Sequence, residues 1–294
     1  MTRTKIKPNK LSKEENNIVS SKRKPKADLN KKSSDPNVQS DPRLDISISS
    51  YPKLKNFVEG LIDDYIPIIG IGSLLSEKSA RATFPNLVNF HLAKLENYRR
   101  VFCHPPAVFC KHGISDLATK EIASLCAEKI NENSFHSYHD LNIQEMIVTM
   151  FEIPREELPG FIEREAELDF DVVRVQDLVD DKVISHKGRG LLCTRSTDSE
   201  YIKKFGRTRF DENSKTMGLS SIWDNPGEIY PCRLYLRHCL LAAQKLSPEV
   251  YQNFLDTTYL YDRQTKLRDY LTNEKYETIM NEKPRKELEN RCNG

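Results

Sequence analysis

The chain has 294 residues, of which 38% are hydrophobic and 30% charged, with a formal net charge of +2 at pH 7. This length suits one large domain or two small ones, and so polar a composition predicts that part of the chain stays outside any core. No run approaches the roughly twenty apolar residues of a membrane span, and no apolar segment resembles a secretory signal. We therefore expect a cytoplasmic protein with no membrane partner, and the nucleus is the alternative location.

The first 50 residues form a basic tail. They contain no aromatic residue and no glycine, and 12 basic residues stand against 6 acidic ones. Such a segment cannot bury enough apolar surface to offset its chain entropy, so residues 1–50 are predicted to be disordered. The basic run Lys22–Lys26 is a possible contact for an import receptor, and a plain solvated charge run is the alternative. The rest of the chain is slightly acidic, which does not favour nucleic acid as a partner.

A folded domain is expected over 51–280, with a frayed C-terminus at 281–294. In chain order, apolar runs and helical periodicity predict strands at 66–71 and 99–102, a helix at 117–131, a strand at 144–153, a helix at 156–167, and strands at 171–176 and 190–195, with a polar turn at 180–182. Helices are then predicted from Pro231 onward, at 248–257 and at 261–271. Because strands and helices do not alternate regularly, the pattern favours an α+β fold.

Seven cysteines are scattered along the chain without paired spacing. In a chain with no sign of secretion, an odd count favours reduced and mostly buried thiols. Cys103-His104 and the Cys110/His112 pair contain metal-ligand types, but no second pair accompanies them. We therefore expect neither a metal nor another cofactor.

Two segments about ninety residues apart carry the candidate chemistry. In the first, an apolar strand opens into a tight Gly72-Ser73 turn whose backbone amides can face a ligand. In the second, the charged run that includes Glu163 and Glu167 contains Glu165, a candidate acid/base residue. The residues alone also allow the alternatives that the turn is an ordinary one and that Glu165 is a solvated carboxylate on a helix. Ser73 lacks the surroundings of a nucleophile elbow, and the glycine pattern is not that of a phosphate loop.

Several ordered motifs resemble the γ-glutamylcyclotransferase-like family, in particular a plant- or alga-type member of its ChaC-related branch. They span about 66–272 and comprise Ile71-Gly-Ser-Leu74, Tyr98-Arg-Arg-Val-Phe102, Arg164-Glu165, Ser199-Glu-Tyr-Ile202 and the stretch from Ile229 to Leu271. The resemblance implies a mixed β-barrel core flanked by helices, with a helical C-terminal part.

The resemblance also implies an activity and a site. Such an enzyme converts a γ-glutamyl compound (glutathione, a γ-glutamyl amino acid or a γ-glutamyl amine) to 5-oxoproline and a free amine, without a cofactor. By the same resemblance Glu165 is the general acid/base, and the substrate-binding residues are Ile71, Gly72, Ser73, Leu74, Leu75, Tyr201 and Tyr230. Ile71 replaces the family's loop aromatic, and Phe170 lacks a hydroxyl. These departures leave a catalytically silent ligand-binding or interaction module as the alternative.

Overall fold

The computed structural model describes residues 48–130, 145–178, 185–284, 286 and 293–294. The tail up to residue 47, with Lys22–Lys26, the turn at 180–182 and Cys292 lie outside the described residues. In chain order the elements are α1 (Pro52–Glu59), β1 (Tyr65–Gly70), α2 (Glu77–Thr83), β2 (Val88–Leu95), β3 (Tyr98–His104), α3 (Ala107–Lys111), β4 (Glu121–Lys129), β5 (Met146–Pro154), α4 (Leu158–Arg164), β6 (Asp169–Arg174), β7 (Gln176–Asp177), β8 (Arg189–Thr194), α5 (Asp198–Phe205), α6 (Arg207–Met217), β9 (Tyr230–Pro231), α7 (Arg233–Leu246), α8 (Pro248–Asp256), β10 (Thr258–Tyr259), α9 (Leu267–Tyr270) and α10 (Asn273–Met280).

The described strands form one mixed sheet in the order β10-β3-β4-β8-β1-β5-β2-β7, with β6 paired to β8 and β9 paired to β4. At its centre β1 runs antiparallel to β5 and parallel to β8. The run 169–177 pairs with β8 along β6 and with β2 along β7. A mixed sheet with helices packed on it is the α+β class expected from the sequence.

Burial on both faces of the sheet explains where the helices lie. One apolar cluster is formed by residues of seven strands, β1 to β6 and β8, and includes Ile69, Ala93, Val148, Val173 and Leu192. On another face α7 and α8 pack against β3 and β4, while α1, α2 and α4 pack against β1, β5 and β6. The helices α5 and α6, together with the segment around Trp223, cover the remaining face of β3 and β4.

The predicted strands at 66–71, 99–102, 144–153, 171–176 and 190–195 correspond to β1, β3, β5, β6 and β8. The predicted helix at 156–167 is shorter, because a 3-10 turn precedes α4 and the helix ends at Arg164. The helix predicted at 248–257 corresponds to α8.

The helix predicted at 117–131 is wrong, because this segment contains β4. Its apolar residues fit a helical stripe, but six consecutive positions from Ile122 to Ala127 are buried. A short, continuous apolar run is also the pattern of a strand covered on both faces, and periodicity cannot separate the two. The segment is a strand because it pairs with β3 along its length and with β8 at Ala127.

Two helix boundaries near the C-terminus also differ from the sequence prediction. Pro231 lies in β9, and α7 begins at Arg233. Within 261–271 only Leu267–Tyr270 is helical, because Asp262 accepts hydrogen bonds from the backbone of Gln264 and Thr265 and so stabilises a turn. Asp side chains compete with helical hydrogen bonding in this way.

No helix within the described ranges combines the length and the apolarity that crossing a bilayer requires.

Arg100, on β3, is fully buried and joins three parts of the chain. Its Nε donates to the Ile71 carbonyl at 2.7 Å, its Nη1 donates to Thr257 Oγ1 at 2.7 Å, and its Nη2 donates to the Ile147 carbonyl. Phe254 lies 5.1 Å from the guanidinium carbon. Burial lowers the pKa of Arg100, and the three acceptors offset part of the cost of removing the charge from water. The guanidinium therefore fixes the end of β1 to β5 and to the residue that follows α8.

Replacing Arg100 with methionine should lower the free energy of unfolding by about 2–4 kcal/mol, because buried acceptors lose their donors. Arg100→Lys should recover only part of this loss, since one ammonium group cannot reach three separate acceptors. The measurement is urea unfolding. Arg207→Met is the control, because Arg207 is largely exposed and its replacement should cost within about 0.5 kcal/mol. Equal midpoints for wild type and Arg100→Met would contradict the assigned role.

Candidate active site

The Gly72–Leu75 loop follows β1 and is fixed at several points. Arg100 binds the carbonyl of Ile71, and Thr149 Oγ1 donates to the Leu74 carbonyl at 2.9 Å. The Leu75 N–H donates to the Gly72 carbonyl at 2.9 Å, which closes a 3-10 turn. That N–H group is therefore already engaged, and the remaining backbone amides of the loop are the candidate donors to a ligand.

Three of the predicted binding residues place their side chains in apolar clusters. Ile71 belongs to the cluster between the strands, Leu74 packs with the aromatic residues under α1 and α4, and Leu75 packs under α7. A ligand would contact these three residues through their backbone. Ser73 is the loop residue with a described link to the segment of the predicted carboxylate.

Arg164 provides that link. It is the last residue of α4, and its Nη2 donates to Ser73 Oγ at 3.0 Å while its Nε donates to Glu165 Oε1 at 2.7 Å. Its Nη1 donates to Thr83 Oγ1 at 2.8 Å. The Glu165 side chain is 16% exposed, so it is partly removed from water and still accessible. Two segments 91 residues apart are thus joined through one guanidinium.

Tyr235, on α7, lies directly against the loop. A Cβ atom built on Gly72 would lie 2.7 Å from Tyr235 Oη and 3.6 Å from Cys239 Sγ. Burial raises the pKa of Tyr235 well above its usual value, and the negative charge of Glu165 acts in the same direction. We refer to Gly72, Ser73, Arg164, Glu165 and Tyr235 as the Glu165 site. In the sequence, Tyr235 is a candidate ligand contact on the same footing as Tyr201 and Tyr230, although such tyrosines are more often core or rim residues.

The other two carboxylates of the charged run have different surroundings. Glu163 is exposed on α4. Glu167 Oε2 lies 2.9 Å from Nε2 of His104, whose Nδ1 lies 3.1 Å from Ser124 Oγ. His104 is buried and stacks on Trp223 with ring centroids 4.4 Å apart. Of the three carboxylates, Glu165 is therefore the one with a described link to the Gly72–Leu75 loop.

Tyr201 and Tyr230 were predicted to bind substrate, and their described contacts lie elsewhere. Tyr201 is buried in α5, and its hydroxyl accepts from Asn213 Nδ2 at 2.7 Å. Burial raises its pKa to about 12. Tyr230 donates to Glu228, and this hydrogen bond raises its pKa to about 12. None of these contacts joins either tyrosine to the Glu165 site, so their binding role stays a prediction.

Three donor atoms of Cys103, Cys126 and Glu128 lie within 4.8 Å of one another. Metal ligation requires the thiolate form of cysteine, whereas burial raises the pKa of Cys126 and favours the thiol. Arg263 Nη2 also lies 2.6 Å from Glu128 Oε1 and competes for that carboxylate. The sequence pair Cys103-His104 does not form a site, because Cys103 faces Cys126 while His104 binds Glu167 and Ser124.

Neither a family model nor a curated protein matches this chain. Solved structures similar to it include a human protein described as uncharacterized protein loc79017, at 12% identity over 65% of this chain and 99% of that one, with a TM-score of 0.30. Another is a γ-glutamyl cyclotransferase, at 11% identity over 65% of this chain and 98% of that one, with a TM-score of 0.29. Similarities this weak carry no argument about the site.

Replacing Gly72 with alanine should lower the free energy of unfolding by about 1–3 kcal/mol, because the new methyl group would overlap the Tyr235 hydroxyl. Tyr235→Phe removes that hydroxyl, so the same alanine should cost less in the Tyr235→Phe background. A double-mutant cycle of urea midpoints measures the coupling. Equal costs in the two backgrounds would contradict the contact.

His238, on α7, lies buried beside the loop. Its Nδ1 accepts from the Gly294 N–H at 2.9 Å, and its Nε2 is buried near the Ser73 backbone without a hydrogen bond of ordinary geometry. Burial lowers the pKa of His238 from 6.5 to about 4. The imidazole is therefore neutral at pH 7 and packs against the loop without a charge.

The His238 pKa predicts a dependence of stability on pH. The unfolded chain binds a proton at this histidine below about pH 6.5 and the folded chain only below about pH 4, so folding stability falls as the pH decreases through that window. Between pH 7 and pH 5 the wild type should lose about 2 kcal/mol more than His238→Gln. Urea unfolding at both pH values measures this, and identical pH slopes would contradict the prediction.

Proposed function

We propose that residues 51–280 carry a γ-glutamylcyclotransferase activity that releases 5-oxoproline from a γ-glutamyl compound. The observation that supports this most directly is the link from Glu165 through Arg164 to Ser73, which brings the two candidate segments together. The pairing of the run 169–177 with both β8 and β2 supports the barrel core that the resemblance implies. The cytoplasm, with possible entry to the nucleus through the basic tail, is the proposed location.

In this reaction the nucleophile belongs to the substrate. The α-amino nitrogen attacks the γ-carbonyl carbon, a C–N bond closes the five-membered ring, and the original amide C–N bond breaks. Holding the chain in that bent geometry can supply several kcal/mol of the barrier, so no nucleophilic side chain of the protein is needed. The products are 5-oxoproline and the free amine.

Glu165 is proposed to move the proton. The substrate amine is an ammonium at pH 7, and its attack requires that a proton pass to a carboxylate. The same carboxylic acid then returns that proton to the departing amine. The ring nitrogen loses a second proton as the lactam forms, and the released amine takes up this proton and leaves as an ammonium, so Glu165 ends the reaction as a carboxylate. A side chain that is 16% exposed combines partial removal from water with access for a substrate.

Arg164 and the loop are proposed to bind the substrate. A guanidinium pairs well with a carboxylate, and Arg164 already lies between Ser73 Oγ and Glu165. Loop amides and the Ser73 hydroxyl are suited to the substrate carboxylate or to negative charge that develops on the γ-carbonyl oxygen.

A catalytically silent binding or interaction module is the second candidate. The close approach of Tyr235 Oη to Gly72 favours it, because this packing occupies the space in front of the glycine. For the enzyme, a substrate would have to approach from the Arg164 side of the loop.

The decisive assay measures 5-oxoproline release by the purified full chain from glutathione and from a panel of γ-glutamyl amino acids and amines. Glu165→Gln should reduce kcat by at least about 100-fold, because an amide cannot accept the proton. The exposed Glu163→Gln serves as the matched control and should leave the rate within about twofold of wild type.

The outcomes separate the two candidates. Release that survives Glu165→Gln but is lost in Glu167→Gln would transfer the proton role to Glu167. Unfolding of either variant would show in its urea midpoint. No release from any donor by the folded wild type would reject the cyclotransferase and leave the binding module.

A further inference from the structure

A second candidate site lies apart from the residues of the Glu165 site. A cavity of about 510 Å³ opens where β3, β4, β6 and β8 meet. Its wall carries many charged side chains, including Arg99, Arg195, Arg263, Lys129, Asp169 and Asp171. No residue of the Glu165 site lines it. Its volume falls in the range typical of small-molecule sites, about 300–1,000 Å³.

One end of this cavity is basic. Glu128 is shared by three guanidinium groups, with N–O distances of 2.6 Å to Arg263, 3.4 Å to Arg99 and 3.7 Å to Arg195. One carboxylate cannot neutralise three positive charges. Asp224 pairs with Arg195 at 3.6 Å, but it is 53% exposed and contributes little. Lys129 adds a further positive charge to the same wall.

Two N–H donors at the basic end lack an acceptor. Arg99 Nε and Arg195 Nε are buried and donate to no acceptor among the described residues. The 3.7 Å between Arg195 Nε and Glu128 Oε1 is too long for a hydrogen bond. Buried donors are usually satisfied, so the hydrogen bonding of these two guanidinium groups is incomplete among the described residues.

The opposite end is acidic. Asp169 and Asp171 lie on β6, where the largely exposed Lys53 pairs with Asp171 at 2.5 Å. The strand order from the acidic to the basic end is β6, β8, β4, β3. Asp169 and Arg99 are three strands apart. At a spacing of about 4.8 Å between neighbouring strands, their backbones are separated by about 14 Å across the sheet. The cavity is therefore polarised, with Asp169 at one end and the guanidinium groups at the other.

We infer that this cavity binds a small zwitterion of the size of a di- or tripeptide, with its carboxylate at Arg99 and Arg195 and its ammonium at Asp169. A carboxylate can pair with two guanidinium groups at once, and the side chains of Arg99 and Arg195 are 19% and 29% exposed. An extended tripeptide spans about 10 Å. This length fits between Asp169 and the guanidinium groups, because their side chains extend into the cavity and shorten the separation of about 14 Å between the backbones. A purely anionic ligand would pair with the arginines and make no use of Asp169, which accepts from the Phe170 N–H at 3.0 Å. This inference does not depend on the proposed cyclotransferase activity.

Isothermal titration calorimetry of the full chain with triglycine tests the inference. Triglycine should bind saturably, and N-acetyl-triglycine amide, which lacks both charges, should not bind. Arg195→Gln and Asp169→Asn should each raise Kd by about tenfold or more, because each removes a charge-assisted hydrogen bond. The matched controls are Arg207→Gln and Asp211→Asn, since these residues form an exposed pair at 2.9 Å on α6 and should leave Kd unchanged.

Each other outcome overturns the inference. Equal binding of the blocked peptide would show that the charges do not matter. Binding of inorganic phosphate without binding of triglycine would reduce the cavity to a simple anion site. Absence of triglycine binding by the folded wild type would reject it outright. The urea transition of Arg195→Gln shows whether this variant folds. If it does not fold, Lys129→Gln tests the basic end in its place. An unchanged Kd in both Lys129→Gln and Asp169→Asn would then overturn the inference.

Discussion

Arg100 is the interaction on which much of the architecture depends. A guanidinium without access to water binds the carbonyl of Ile71, the carbonyl of Ile147 and the hydroxyl of Thr257. Burial of an unpaired charge is costly, and the cost is limited only while all three acceptors stay in place. The end of β1, the start of β5 and the residue after α8 are therefore held together, and the Gly72–Leu75 loop begins from a fixed point.

At both candidate sites, too, contacts between distant segments hold charged side chains in fixed positions. At the Glu165 site a single guanidinium, that of Arg164, connects a loop hydroxyl to a carboxylate from a distant segment. In the polarised cavity, three guanidinium groups surround Glu128, while Asp169 lies on the far side. Preorganised charge of this kind is what binding and catalysis require, because the cost of arranging it has been met during folding.

Local patterns predicted some elements well and others poorly. The strands β1 and β5 were predicted because their apolar runs are bounded by clear breaks, whereas β4 has the spacing of a helix and is a strand because β3 and β8 pair with it. The strand β2 was not predicted from the sequence; its register is irregular between Val88 and His91, where Asn89 adopts a positive φ. The helix α5 was missed although Thr197 and Glu200 form a capping-box pattern, and the Thr197 side chain accepts from the Glu200 N–H.

The sequence by itself indicated the α+β class and a glycine-containing loop after a strand, because these depend on short-range patterns of apolar and glycine residues. The family resemblance, not a local pattern, singled out Glu165 from Glu163 and Glu167. Only the tertiary structure decided which carboxylate approaches the loop, because the end of α4 at Arg164 sets the direction of Glu165. It also placed Tyr235 against Gly72 and gathered Arg99, Arg195 and Arg263 around Glu128. Such contacts join residues from different elements, and no local periodicity encodes which elements will meet.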